Sequence, residues 1–340
     1  MTAAATLKAW TGAALAAPVV WLASIVNVPL KFWQRATGTG GMAAFFLAPN
    51  MAIFGIFVLM PMIINFFYSA TSGTAYFLQD RTYVGLEQYR RLLDCGNYLD
   101  TATCHEDLFW KAVHNTGLFV VVQVALMTVV SMATALILNR EIVGRSFWRA
   151  VFFFPVLLSP VVTGLIWRWI LQRQGLLNLI VHDLGGEPHN WLTDRFWAFA
   201  AAVSVSVWAH MGFYTLILLA GLQAIPRDLY EAAEMDGTKP ARVFWRITLP
   251  LLMPNLLVVI VLTLIRAVQI FDEVYVLTGG GPGTSTLYIT QYIYEIGFAS
   301  LLRNPGLASA ASILMALVLV VLTLVQLQVG RRGERKGARE

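Results

Sequence analysis

An all-α membrane protein with several helical spans is the fold class this sequence predicts, from three observations. Of 340 residues, 58% are apolar and only 13% charged, whereas a soluble domain of this length carries about a quarter charged residues. Uncharged apolar runs recur along the chain, each near the roughly 20 residues that a helix needs to cross a bilayer. The positive charges gather at the ends of those runs in a sided pattern, as membrane topology requires. The net charge of +5 is therefore read as topology, and nucleic acid is excluded as a partner; membrane lipid is the expected surroundings.

Residues 1–42 form an N-terminal extension whose segment Trp10–Leu30 is uncharged. It has three readings: an additional span, an interfacial helix or a signal peptide. Cleavage would leave Lys31 and Arg35 outside, against the charge rule, so a retained segment is expected. Residues 43–330 are expected to form the transmembrane domain. Its six core runs are Ala43–Ser69, Val113–Leu138, Ala150–Leu171, Phe196–Leu222, Leu251–Leu277 and Leu307–Val329. Pro49, Pro61, Pro155 and Pro160 fall in or near them, where neighbouring helices tolerate kinks. Residues 71–112 mix acids and bases and read as an outer, partly folded loop. It holds Cys95 and Cys104, for which a disulfide and two free thiols are both open readings.

Arg140, Arg145 and Arg149 mark the connection after the second run as cytoplasmic. Arg227, Lys239, Arg242 and Arg246 do the same for the loop 226–250, and Arg331, Arg332, Arg335, Lys336 and Arg339 for the basic tail 331–340. The C-terminus is thus expected inside. The segment Gly279–Pro305 carries Arg303 as its one basic residue and is expected outside.

The loop 226–250 contains "EAAEMDGTKPARVFWRITLP". Asp228 precedes Leu229–Met235 with Glu231 three residues on, a capping-box spacing. Gly237 suits the left-handed residue that ends a helix. Thr238 is placed to cap the next helix and Pro240 to open it. The spacing predicts a very short helix, a sharp stop and a second helix. Leu229, Ala232 and Ala233 are expected to share one face, with Glu231, Glu234 and Asp236 at its rim. Two uses of that face are open on the residues alone: a docking peg for a cytoplasmic partner, or an amphipathic helix lying on the bilayer or its own bundle.

The stretch resembles the signature loop of permease subunits in binding-protein-dependent ABC importers. That pattern is Glu-Ala-Ala, three residues, Gly, nine residues, Ile, one residue, Leu-Pro. Here it is Glu231, Ala232, Ala233, Gly237, Ile247, Leu249 and Pro250, with every gap kept. "LNREIVGRSFWRAVFFFPVLLSP", "LAGLQAIPRDLYEAA" and "FDEVYVLTGGGPGTST" are similar to the carbohydrate branch of that family. The resemblance runs from about Ala43 to Arg332 and is nearest the first permease of maltose and glycerol-phosphate importers. It implies an inner-membrane subunit that moves a carbohydrate or polyol by alternating access. It also implies a second permease, two copies of an ATP-binding subunit and an extracytoplasmic solute-binding protein. ATP and Mg²⁺ would then be held by the partner ATPase subunits; no Gly-Lys dipeptide exists here from which to build a phosphate loop. Asp228, Leu229, Glu231, Ala232, Ala233, Asp236 and Gly237 would form the coupling helix, and Ile247, Leu249 and Pro250 would support the return into the membrane.

Polar residues inside spans mark candidate solute paths. Arg266, Gln269 and Glu273 follow i, i+3, i+7 spacing and are expected on one helical face, flanked by Asp272. An internal Arg266–Glu273 ion pair is the competing reading. Trp208, His210 and Tyr214 are further candidates, set against interhelical packing for Trp208 and a bonded core histidine for His210. Gln123 is a candidate whose amide equally suits helix–helix bonding. Trp167 and Trp169 are expected in an interfacial belt. No metal-ligand spacing or catalytic constellation is present, so the chain is read as no enzyme. The rival classes are an ion-coupled secondary transporter, kept open by Asp272 and Glu273, and a membrane-embedded enzyme, which needs a paired acid and base.

Overall fold

The computed structural model describes residues 38–75, 77–301 and 303–337 together with Gln34. The hydrophobic segment Trp10–Leu30, with Lys31 and Arg35, lies outside the described residues, as do the last three residues of the basic tail. The chain divides into two units between Asn65 and Phe66. The described part of the first is the apolar helix α1, whose full span is Gly38–Ser69.

The second unit is a helical bundle with a small cap at one end. Helix α3 (Asp107–Asn139) packs along α7 (Arg195–Ala224), and both contact α9 (Pro240–Val268). Phe119, Met127, Leu138, Leu218, Leu222, Leu252 and Val259 interlock in the shared core. Each of these helices is long and apolar enough to cross a membrane, as are α1 and the Pro305–Gln328 part of α12 (Pro305–Gly337). Asp194 opens α7 by accepting from the Phe196 and Trp197 amides at 3.0 and 3.1 Å, satisfying donors that a helix start leaves unpaired.

Two of the six expected runs are not single straight spans. The third is bent by 100° between Arg145–Leu157 and Pro160–Asp183. Pro155 sits in the tight turn Phe154–Leu157, and Pro160 begins the next helix. Neither proline offers an amide to continue the ladder. The parts are α4 (Arg145–Phe153), α5 (Pro160–Leu171) and α6 (Leu176–Asp183). The fifth run stops at Val268. Phe271 leaves helical geometry at φ −150°, and α10 (Asp272–Thr278) starts afresh against α5. Asp272 and Glu273 occupy its first turn, where negative charge is favoured.

Wide turns accommodate two other prolines. The Met60 amide bonds back to Gly55 and the Leu249 amide to Phe244, one residue further than in an α-helix. Pro61 and Pro250 follow immediately. Each proline ring would otherwise press on the carbonyl four residues earlier.

A basic residue next to α3 also finishes that helix. Arg145 donates Nε to the Leu138 carbonyl at 2.7 Å and Nη2 to that of Asn139 at 3.4 Å. Both carbonyls lie at the negative end of α3.

The cap contains a two-stranded antiparallel ribbon, β1 (Thr71–Ser72) and β2 (Thr82–Tyr83), with Thr71 opposite Tyr83. Helix α2 (Glu87–Leu93) follows. Leu92, Phe109, Leu287, Tyr292 and Leu307 join α2, α3, α11 (Ile289–Tyr294) and α12 in a second apolar cluster. Arg81 is buried and donates Nε to Thr71 Oγ1 and Nη1 to the Ala75 carbonyl, both at 2.7 Å. Burial pulls its guanidinium below the usual arginine value.

Cys95 and Cys104 are joined in a disulfide that closes a small hairpin. Closing a loop of this size restricts the unfolded chain by about 2–3 kcal/mol. Replacing both cysteines by serine is therefore expected to quicken proteolysis of residues 94–105 several-fold, with the membrane core intact. Equal cleavage rates in limited trypsin or chymotrypsin digestion would contradict this.

The glycine-rich loop after α10 is tightly turned. Gly279, Gly280 and Gly283 have positive φ. Thr286 Oγ1 donates to the Gly281 carbonyl at 2.7 Å, and Asn115 Nδ2 holds the Thr284 and Leu287 carbonyls at 2.8 and 3.1 Å.

Candidate functional site

Helix α8 (Arg227–Met235) connects α7 to α9. Pro226 occupies the flanking position before it, and no side-chain cap bond forms. The expected capping box is therefore corrected: the fixed φ of Pro226 starts the helix two residues early, leaving Asp228 inside the first turn. Thr238 likewise does not cap the next helix. Lys239 holds that place without a side-chain bond, and Pro240 opens α9.

The stop at the C-terminal end is well defined. Gly237 has φ +64°. Its amide donates to the Glu234 carbonyl and that of Thr238 to the Ala233 carbonyl, each at 2.9 Å. Those paired bonds are the Schellman closure, which needs a left-handed residue at Gly237.

The roll of α8 differs from the expected face. Ala233 is buried, at 7% exposure, whereas Leu229 is 41% and Met235 88% exposed. The cause is Tyr230, one turn before Ala233. Its ring packs on the core, and its hydroxyl lies 3.1 Å from Thr248 Oγ1 on α9. Ala233 thus faces its own bundle. The outward surface carries Leu229, Ala232 and Met235, with Asp228, Glu231 and Asp236 also exposed. Ile247 and Leu249 are half-buried, Leu249 against the core, and Pro250 is exposed. Tyr230 and Thr248 were not among the candidates read from the sequence. The i, i+3 pairing of Tyr230 with Ala233 was the available signal. Tyr230→Phe removes one hydrogen bond of about 1 kcal/mol and is expected to lower uptake two- to fivefold without loss of folded permease. Unchanged initial uptake rates would contradict it.

The second site is a cleft of about 380 Å³ between α7 and the end of α9, with Val156 from the bend. His210, Tyr214, Arg266 and Gln269 line it together with Phe213, Leu262 and Ile265. The structure brings these four candidates together and places the others elsewhere. Trp208 meets Trp167 edge-on, with ring centres 5.4 Å apart. Trp167 is thus half-buried between helices, while Trp169 is exposed. Gln123 is buried and donates Nε2 to Ser206 Oγ at 3.0 Å. Asp272 is exposed outside the cleft lining. Glu273 is 5% exposed and belongs to α10, beyond the break. The expected single face of Arg266, Gln269 and Glu273 is corrected, because the helix that would align them ends at Val268.

Behind the cleft runs a polar chain. Ser206 Oγ lies 3.5 Å from Glu273 Oε1, and the Ser206 carbonyl is 2.9 Å from His210 Nδ1. His210 Nε2 contacts Arg266 Nη2. The Arg266–Glu273 ion pair does not form: among the described residues, no carboxylate oxygen lies within 4.0 Å of the Arg266 guanidinium.

Residues 127–334 match the family of binding-protein-dependent transport system inner membrane components. The trehalose/maltose transport system permease protein MalF of Thermococcus litoralis is 37% identical over 289 residues, covering 84% of this chain and 92% of that one. The lactose transport system permease protein LacF of Rhizobium radiobacter is 32% identical, covering 86% and 94%. The sulfoquinovosyl glycerol transport system permease protein SmoG of Agrobacterium fabrum is 32% identical, covering 89% and 95%. In fold, the chain is similar to a bacterial ABC transporter that imports the acidic polysaccharide alginate, with TM-score 0.73 and 24% identity over 89% of this chain and 99% of that one. With a family match over more than half its length and relatives above 30% identity along nearly their whole chains, this protein belongs to the inner membrane components of binding-protein-dependent transport systems.

Proposed function

We propose that this chain is one permease subunit of an ABC importer for a carbohydrate or polyol, working by alternating access. One observation carries the coupling step: α8 is pinned by Tyr230 and the Gly237 stop while its Leu229–Ala232–Met235 surface stays exposed. An exposed apolar ridge rimmed by acids suits docking into another protein. Closure of two separate ATPase subunits, which hold ATP and Mg²⁺, moves α8. Because α9 continues from Pro240 to Val268, displacement at α8 reaches the Arg266 end of the cleft along one helix. A second permease completes the path, and an outer solute-binding protein delivers the solute. The loop 226–250 and the C-terminus face the cytoplasm, in keeping with their basic residues. The relatives named for trehalose/maltose and lactose transport support a sugar as solute. A similar fold was determined in complex with an alginate pentasaccharide-bound periplasmic protein, which supports the binding-protein partner.

The test is uptake of radiolabelled sugar into proteoliposomes holding the complete importer. ATP-driven, vanadate-sensitive uptake that disappears without the ATPase subunit is expected. Uptake driven by an ion gradient without that subunit would identify a secondary transporter, and chemical conversion of the sugar an enzyme.

A further inference from the structure

Both ring nitrogens of His210 are engaged. Nδ1 lies 2.9 Å from the Ser206 carbonyl oxygen, which only accepts, so Nδ1 carries the proton. Nε2 meets Arg266 Nη2, which only donates, so Nε2 keeps its lone pair. Glu273 Oε1, 3.9 Å from Nδ1, is the carboxylate facing the imidazole. A doubly protonated ring would set an N–H against the guanidinium and place two positive charges in contact. The neutral ring instead accepts from Arg266 and helps fix its direction.

Arg266 is exposed into the cleft and is always a cation. No carboxylate among the described residues lies within 4.0 Å of it. Val156, Phe213, Leu262 and Ile265 supply apolar wall beside it. A charge against such walls gains most from an anion that arrives with the ligand, and the planar guanidinium fork matches an oxyanion with two bonds. Gln269, exposed in the cleft, remains for hydroxyl groups, and Phe213 for the apolar face of a sugar ring.

We infer that the solute accepted by this cleft is an acidic sugar or polyol, carrying a carboxylate, sulfonate or phosphate that pairs with Arg266. The inference rests on the cleft being the solute path proposed above. It narrows the solute from any hydroxyl-rich molecule to those bearing an oxyanion.

The experiment uses the complete importer with its binding protein in proteoliposomes. The probes are matched pairs: glucose with glucuronate and with 6-deoxy-6-sulfoglucose, galactose with galacturonate, and glycerol with glycerol 3-phosphate, each also tested as a glycoside. The acidic member of at least one pair is expected to be carried in preference to its neutral counterpart. Arg266→Gln is expected to raise its half-saturating concentration about tenfold or more, in line with loss of a charge-assisted bond. Arg266→Lys, which keeps the charge, should retain part of the preference. Co-purification of the other subunits with both variants checks assembly. Transport of neutral members alone, unaltered by Arg266→Gln, overturns the acidic class but leaves sugar import standing. Release of the second permease by Arg266→Gln also overturns it, since the counter-ion would then belong to that subunit. Transport of no member of any pair, nor of maltose, trehalose or lactose, overturns both readings.

Discussion

Gly237→Val is expected to reduce ATP-driven uptake to about a tenth or less while the permease remains folded. A residue with φ +64° sits in the left-handed region, which costs an ordinary L-residue about 1–2 kcal/mol and a β-branched one more. Space is not the obstacle: a Cβ at Gly237 would meet nothing within 4 Å. The cost is therefore relieved by abandoning the turn. The Gly237 and Thr238 amides then lose the Glu234 and Ala233 carbonyls, and the last turn of α8 frays beside Met235. Asparagine tolerates left-handed geometry far better than valine, so Gly237→Asn should keep most of the uptake. Equal activity of the valine and asparagine variants would show that the stop has no part in transport.

Gly164→Leu is expected to prevent formation of a stable permease, a defect of a different kind. Here a side chain has nowhere to go. A Cβ on Gly164 would lie 2.7 Å from the Glu273 carbonyl oxygen and 3.0 Å from Val276 Cβ. Backbone cannot swing aside as a flexible side chain does, so α5 and α10 would have to separate. Overpacking of this kind costs about 1–3 kcal/mol even where side chains give way. Alanine is expected to lower the melting temperature of the purified permease by several degrees, and leucine to leave it aggregated on size-exclusion chromatography. Normal elution and melting of the leucine variant would contradict the packing of α10 on α5.

The spans were legible in the sequence wherever an apolar run was bounded by charge. α7 exceeds its expected limits by one residue at its start and two at its end, and α3 by one at its end, though it begins at Asp107, well before Val113. The bend at Leu157–Pro160 had its prolines in view, but hydropathy carries no angle. The break after Val268 had neither proline nor glycine to announce it; the acidic pair Asp272–Glu273 was the one local cue, and it also fitted a polar stripe. Faces proved harder to read than helices. Leu229, Ala232 and Ala233 satisfy an apolar spacing, yet a helix of nine residues takes its roll from whatever pins it, and the Tyr230–Thr248 contact spans 18 residues. In the cleft, the sequence supplied His210, Tyr214, Arg266 and Gln269. Which of the polar residues share a wall depended on tertiary packing between α7 and α9.

Cysteine crosslinking on α8 tests the central claim most directly. Both native cysteines are held in the Cys95–Cys104 disulfide, so an introduced cysteine supplies the free thiol. In the purified importer, Leu229→Cys, Ala232→Cys and Met235→Cys are each expected to form a crosslink to the ATPase subunit with a short bifunctional reagent, with yields that change on ATP binding. Ala233→Cys, facing the bundle, should form none. Failure of all three outward positions to reach the ATPase subunit in an importer that still transports, or an equal yield from Ala233→Cys, would contradict the docking of α8.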